Sequence, residues 1–152
     1  MIPAPAKRIV IDTNVCLDLF VFHDPRWADL LAALENGSVE AVTRADCRAE
    51  YLVVLHYPHL PLDDAKRPVA AARFDALVRV VAPEASLARL PTCTDRDDQK
   101  FLEVARDARA DILITKDKAL LKLARKTAQA GMFRIMLPEA WLKHAAAEAA
   151  LE

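Results

Sequence analysis

Four acidic residues have the types and positions to do chemistry together: Asp12, Glu50, Asp98 and Asp117. Asp12 directly follows the apolar run Ile9-Val10-Ile11. Asp117 comes two residues after Ile112-Leu113-Ile114-Thr115, Asp98 closes the segment Asp95-Arg96-Asp97-Asp98, and Glu50 lies in a helical pattern that begins at Arg44. Carboxylates brought to one place repel one another unless a cation neutralises them. Hard oxygen ligands, without a thiolate pair or a histidine cluster, suit Mg²⁺ or Mn²⁺. Such an ion orients a phosphodiester, activates a water and stabilises charge on the leaving oxygen. The residue types thus reach metal-dependent phosphate chemistry. Taken singly, each acid has a plainer reading: Asp12, Asp98 and Asp117 as helix N-caps, Glu50 as a solvated helix residue. The joint placement of all four is what favours a site.

The elements that must position these acids alternate along the chain. Short β-branched runs over 8–12, 39–43, 78–81, 111–115 and 133–137 read as strands buried on both faces. Between them, helical patterns run over 25–34, 44–55, 63–77, 98–108 and 118–130, and Pro138 opens a last helix. Thr13-Asn14 is placed to cap a helix after the first strand. Pro68 sits badly inside 63–77, so two shorter helices or a kink are expected there. Strands alternating with helices predict an α/β fold: a three-layer α/β/α sandwich around a central, mainly parallel five-stranded sheet. At 152 residues, with no internal repeat and no dividing linker, one domain over 1–152 is expected, its core spanning about 8–142. In an open parallel sheet, ligands bind at the rim formed by the strand carboxyl ends. All four acids fall on or near that rim.

The motifs themselves carry a resemblance. Ile9-Val10-Ile11-Asp12-Thr13-Asn14-Val15 resembles the opening motif of the PIN domain, and the stretch from Thr43 to Glu50 resembles its second motif, in which a helix presents a Glu. Asp95-Arg96-Asp97-Asp98-Gln99-Lys100-Phe101-Leu102-Glu103 is similar to the Asp-Pro-Asp-Asp-Asp-Lys-Phe-Leu-Glu segment of one PIN branch, described as toxin components of toxin–antitoxin systems. Ile112-Leu113-Ile114-Thr115-Lys116-Asp117-Lys118 resembles the closing motif. The likeness runs from about Arg8 to Leu142. Arg96, Gln99, Lys116 and Ala119 depart from the pattern, which bears on metal number and substrate fit, while the four principal acids remain. The resemblance implies a PIN-like fold and RNA hydrolysis by a metal-activated water, with Asp12, Glu50, Asp98 and Asp117 as catalytic and metal-holding residues. It implies auxiliary roles for Asn14 and Thr115, and leaves Asp95 and Asp97 to share or compete for the role of Asp98. It also implies a homodimer and a cognate antitoxin protein as partners.

Two other metal-dependent phosphate enzymes or modules fit less well. A haloacid-dehalogenase-like phosphatase would carry a second Asp where this chain has Asn14, and a receiver-like domain would place an acidic pair before Asp12. A PIN fold that binds RNA or a partner without cutting is the remaining alternative.

A net charge of −1 excludes a globally basic nucleic-acid binder, so any RNA surface must be local. Lys118, Lys122, Arg125 and Lys126 share one face of the helical pattern over 118–130, with Lys116 beside them, and this stripe is a candidate surface for the RNA backbone. The plainer reading is a solvated helix face. Cys16, Cys47 and Cys93 are scattered and odd in number, which suits reduced thiols and a cytoplasmic protein. The start of the chain lacks the order of a signal peptide, and no apolar run approaches a membrane span. His56 and His59 are read as loop or packing residues because Pro58 interrupts their spacing, and Trp27 and Trp141 as core, either being able to join a dimer interface.

Overall fold

A computed structural model describes residues 7–151; Met1–Ala6, and with them most of the segment read against a signal peptide, lie outside the described residues, as does Glu152. Five strands form one parallel sheet: β1 (Lys7–Ile11), β2 (Val39–Thr43), β3 (Val78–Val80), β4 (Ile112–Ile114) and β5 (Arg134–Met136), in the order β3-β2-β1-β4-β5. The register sets Ile9 beside Ala41 and Ile112, and Ile11 beside Ile114. The expected strands are all present, each within a residue or so of its expected bounds.

The strand order dictates the layers. The chain moves outward from β1 to β2 and β3, then returns across the sheet to β4 and β5. Parallel crossovers are right-handed, so helices inserted while moving one way cover one face, and those inserted moving the other way cover the opposite face. On the first face lie α1 (Thr13–Phe20), α2 (Ala28–Glu35), α3 (Ala45–Val54) and α4 (Lys66–Leu77). They pack with the final helix α8 (Pro138–Ala149) against Ile9, Ile11, Ala41, Ile112, Ile114 and Met136. On the second lie α5 (Gln99–Asp107), α6 (Lys118–Leu121) and α7 (Ala124–Gln129), against Val10, Val42, Leu113 and Ile135. Successive strand residues thus serve opposite cores, which is why the strands read as unbroken apolar runs. The result is a three-layer α/β/α sandwich.

The first core is braced by an aromatic cluster. Tyr51 stacks on Phe74 with ring centroids 4.4 Å apart, and Phe20 meets both edge-on. The buried Tyr51 hydroxyl donates to the carbonyl of Ala70 at 2.9 Å, so its polar end is satisfied. Trp27 and Trp141 are both core residues, and the three cysteines are buried free thiols. Among the described residues, no helix is long and apolar enough to cross a membrane.

Two helical expectations need correction. Residues 63–77 form neither two helices nor a kinked one. The Asp63 carboxylate accepts from the N–H groups of Ala65 and Lys66, the helix starts at Lys66, and Pro68 falls in its first turn. There the missing N–H has no helical partner to lose. Conversely, the single helix expected over 118–130 is divided into α6 and α7 at Lys122–Leu123. The Leu123 N–H bonds to Leu120, three residues back, and the tightened turn keeps Leu120, Leu123 and Thr127 all buried.

Candidate active site

The rim of the sheet places the acids. At the β1–β4 boundary the side to which successive strands are added reverses, so the loops leaving these two parallel strands diverge and open a crevice at their carboxyl ends. Backbone pairing continues one residue past each strand: the Asp12 N–H bonds to the carbonyl of Ile114, and the Thr115 N–H to that of Met136, both at 3.0 Å. Asp12 and Thr115 are therefore fixed by the sheet, not by loops.

Asp12 occupies the N-cap position of α1, yet its side chain does not cap the helix. It is 4% exposed and its Oδ2 accepts from the hydroxyl of the fully buried Thr115 at 2.7 Å. The same Thr115 oxygen accepts from the N–H of Asp117 at 3.0 Å, so one hydroxyl holds two acids in relation to each other. Asp117 does cap: its Oδ1 accepts from Ala119 N–H at 2.8 Å, at the start of α6. The capping and site readings of Asp117 are compatible, because a carboxylate has lone pairs for both.

Asp98 comes from the far side of the crevice. Arg96–Asp98 form a 3₁₀ turn leading into α5, with Asp95 as its N-cap accepting from the Asp97 N–H at 3.0 Å. This turn buries Asp98 and brings Asp95, Asp98 and Asp117 together, one carboxylate oxygen of each lying within 4.8 Å of the others. Asp97 is exposed and outside that group; its backbone carbonyl accepts from the Lys100 ammonium. The long connection before the turn is fastened by Gln99, whose Oε1 accepts from Cys93 N–H at 2.7 Å and whose Nε2 donates to Pro91 at 3.2 Å. An Asp at this position, as in the resembled motif, could accept but not donate.

Glu50, two turns into α3, is held differently. It accepts from the Thr13 hydroxyl, and its Oε1 lies 2.9 Å from the Lys100 ammonium. It is close enough to Asp12 for its charge to be felt there, but it already has a cation. Neither Thr13 nor Lys100 stands out in the sequence as a partner of Glu50: each lies in a segment read for another purpose, and only the packing of α1, α3 and α5 joins them. Asn14 is exposed, and its side chain makes no hydrogen bond among the described residues. Lys116, Lys118, Lys122, Arg125 and Lys126 are exposed or half-buried, and Lys116 is paired with Asp18 at 2.7 Å. The division of the helix at Leu123 distributes the four basic residues of the expected stripe over two short helices and the turn between them.

The electrostatics mark the same place. Burial pushes the Asp12 carboxyl up to about 6, against the Thr115 hydrogen bond, which lowers it; the charges of Glu50 and Asp117 add to the rise. Asp98 is pushed well above the usual carboxylate range, first by burial and then by the facing Asp117 carboxylate, with Asp12 and Asp95 adding like charge. Asp117 is held low, chiefly by the facing Asp98 carboxyl, with the N–H of Ala119 adding to the effect. A bound cation would favour the ionised form of every carboxyl in this group and so displace the proton that the raised Asp98 holds without it. The buried Oδ2 of Asp98 has no hydrogen-bond partner among the described residues. An unpaired buried carboxylate oxygen is costly, and a divalent cation is the partner this all-oxygen surrounding suits. The residues present therefore fit a divalent metal.

No curated protein matches the chain. A family model described as PIN domain matches residues 8–119, from the start of β1 to just past Asp117. That span takes in all four rim acids and the two paired strands, β1 and β4, at whose carboxyl ends the crevice opens. The chain belongs to the PIN-domain family.

Proposed function

We propose that this protein is an endoribonuclease that hydrolyses RNA phosphodiester bonds with Mg²⁺ or Mn²⁺ held among the rim carboxylates. PIN domains are typically nucleases and generally use divalent metals, and the chain carries a cluster of acids able to hold one. The observation that carries the reading is the buried, unpartnered Oδ2 of Asp98, on a residue grouped with Asp95 and Asp117 whose carboxylates cannot all ionise without a cation.

Asp98 and Asp117 would hold the ion, with Asp12 supplying a third carboxylate and Asp95 or Glu50 a further one. When bound, the metal supplies charge neutralisation at the phosphate and an acidified water. The protein's own residues do the rest. Thr115 fixes the angle of Asp12 and the backbone of Asp117. Thr13 and Lys100 orient Glu50, leaving its carboxylate beside Asp12 to accept a proton or to align a water. Lys118, Lys122 and Arg125 offer phosphate contacts along the strand approaching the site, whereas Lys116 is taken up by Asp18. The finer parts of the proposal are a single domain, a cytoplasmic homodimer, and action as the toxin of a toxin–antitoxin pair restrained by a cognate antitoxin protein. These rest on the motif resemblance, above all on 95–103.

The test is cleavage of labelled single-stranded and structured RNAs with Mg²⁺, Mn²⁺ or EDTA. Wild type is expected to cut only with metal, and Asp12→Asn to lose on the order of a hundredfold or more, since even residues that merely orient metal ligands cost 10–100-fold. Equal activity in Asp12→Asn would overturn the mechanism. A folded wild type that binds RNA without cutting it would instead support a non-catalytic binding module.

A further inference from the structure

We propose that the cleft beside the acids, between α1 and the turn following α3, is a subsite for one unpaired nucleobase of the strand being cut. The proposal rests on the nuclease reading above and names the form of nucleic acid that this site takes. The cleft is about 230 Å³ and is lined by Asn14, Leu17, Asp18, Phe22, His59 and Lys116, among others. That is below the roughly 300–1,000 Å³ of pockets that enclose drug-sized ligands, and suits a single flat ring system. Its near wall is continuous with the site: Asn14 stands two residues after Asp12, and Lys116 immediately precedes Asp117. None of the rim acids lines the cleft itself, but an occupant lies against the chain segments that carry Asp12 and Asp117.

The lining selects a base over a phosphate. Phe22 leaves 49% of its surface in water, and Tyr57, 47% exposed, sets its ring 5.9 Å from that of His59. Exposed aromatic faces beside a nucleic-acid path are stacking platforms, and they tolerate any base because every base has a π-face. The Lys116 cation in the lining is already neutralised: its Nζ lies 2.7 Å from Asp18 Oδ2, which also accepts from Trp27 Nε1 at 3.2 Å. A phosphate would meet the Asp18 carboxylate here, whereas an uncharged ring meets no like charge. The Asn14 amide, exposed and with no hydrogen bond among the described residues, offers two donors and an acceptor to a base edge. A base inside a duplex has its faces covered by stacking and its pairing edge occupied, so only an unpaired nucleotide can enter.

The test uses a fluorescein-labelled ten-nucleotide RNA, free and annealed to its complement, titrated in EDTA so that binding is read without cleavage. Wild type, Phe22→Ala and His59→Ala are compared by anisotropy. Both side chains are exposed, and thermal melting verifies that the variants are folded. The expected result is roughly five- to hundredfold weaker binding of the single strand by Phe22→Ala, a smaller loss in His59→Ala, and no change for the duplex. A DNA strand of the same sequence is run in parallel, and a loss on either sugar supports the subsite. Unchanged single-strand affinity in both variants overturns it. So does an equal loss for strand and duplex, or a wild type that binds no single strand; a protein partner would then be the better occupant of this face. Loss of strand affinity in a protein that cuts no RNA with Mn²⁺ would leave the subsite standing and remove the nuclease reading. Full cutting with unchanged affinity would do the reverse.

Discussion

At the scale of single residues, the site is a set of carboxyl groups held under electrostatic stress. Asp12 and Asp98 bind protons more tightly in the folded protein than in the unfolded chain, chiefly because they are buried. A raised folded-state value contributes stability that is complete at low pH and is lost as pH rises through it. Without metal, the loss contributed by these two groups runs from the ordinary carboxylate value near 4 through about 6 for Asp12, and continues upward for Asp98. Acids with lowered values, such as Asp46, Asp75 and Asp107, act the other way: their stabilisation is lost only as pH falls below the ordinary carboxylate range. Asp98→Asn removes a charge that burial opposes. Urea unfolding in EDTA should therefore find the variant more stable than wild type at pH 8, by at least about 1 kcal/mol. The difference should shrink toward pH 5. A variant equally or less stable at pH 8 would show that Asp98 is not the strained member of the group.

At the scale of elements, the positions of the acids follow from which strand or helix end each one terminates. Asp12 and Asp117 were legible because a charged residue just after a buried apolar run lands on the sheet rim. Asp98 was legible as a helix-start acid, but its burial beside Asp95 depends on a 3₁₀ turn that the sequence does not announce. The partners of Glu50 were not legible at all, since Thr13 and Lys100 meet it only through tertiary packing. Pro68 misled because helix starts are the least determined feature of a periodic pattern, and the Asp63 cap moved the start to suit the proline. The break at Leu123 escaped because Leu120, Leu123 and Thr127 keep the spacing of one helical face, so the pattern reads as a single helix, and only the Leu123 N–H bond to Leu120 marks the tightened turn. Gln99 carries the clearest prediction here, since it ties the long connection after β3 to α5 at both ends of its amide. Gln99→Ala should cost about 1–3 kcal/mol by orphaning the Cys93 N–H. Amide exchange should quicken at Cys93 and its neighbours while β1 and β4 stay protected. Unchanged exchange there would mean that the connection is held by other interactions.

At the scale of the molecule, a net charge near zero means that the proposed RNA substrate would be attracted by a local field. The basic residues after Asp117 are the cations nearest that side of the site in sequence, although they are spread over two short helices. Reversing Lys122 and Arg125 to Glu should weaken RNA binding. It should also reduce the slope of log affinity against log salt by about 0.7 for each single-strand phosphate that is no longer neutralised. An unchanged slope would assign these residues to a solvated face. The sheet topology gives this arrangement its logic, because the two strands whose outgoing loops diverge at the crevice are those that lead to Asp12 and to Asp117.

The central claim, that the rim carboxylates form a divalent-metal site, is tested most directly by Mn²⁺ binding followed through the electron paramagnetic resonance signal of the free ion. Wild type should remove Mn²⁺ from solution, more tightly as pH rises and the raised Asp98 carboxyl gives up its proton. Asp98→Asn, folded and at least as stable, should bind roughly tenfold more weakly or worse, while Lys122→Glu binds as wild type does. Mn²⁺ bound as tightly by Asp98→Asn as by wild type would contradict the account.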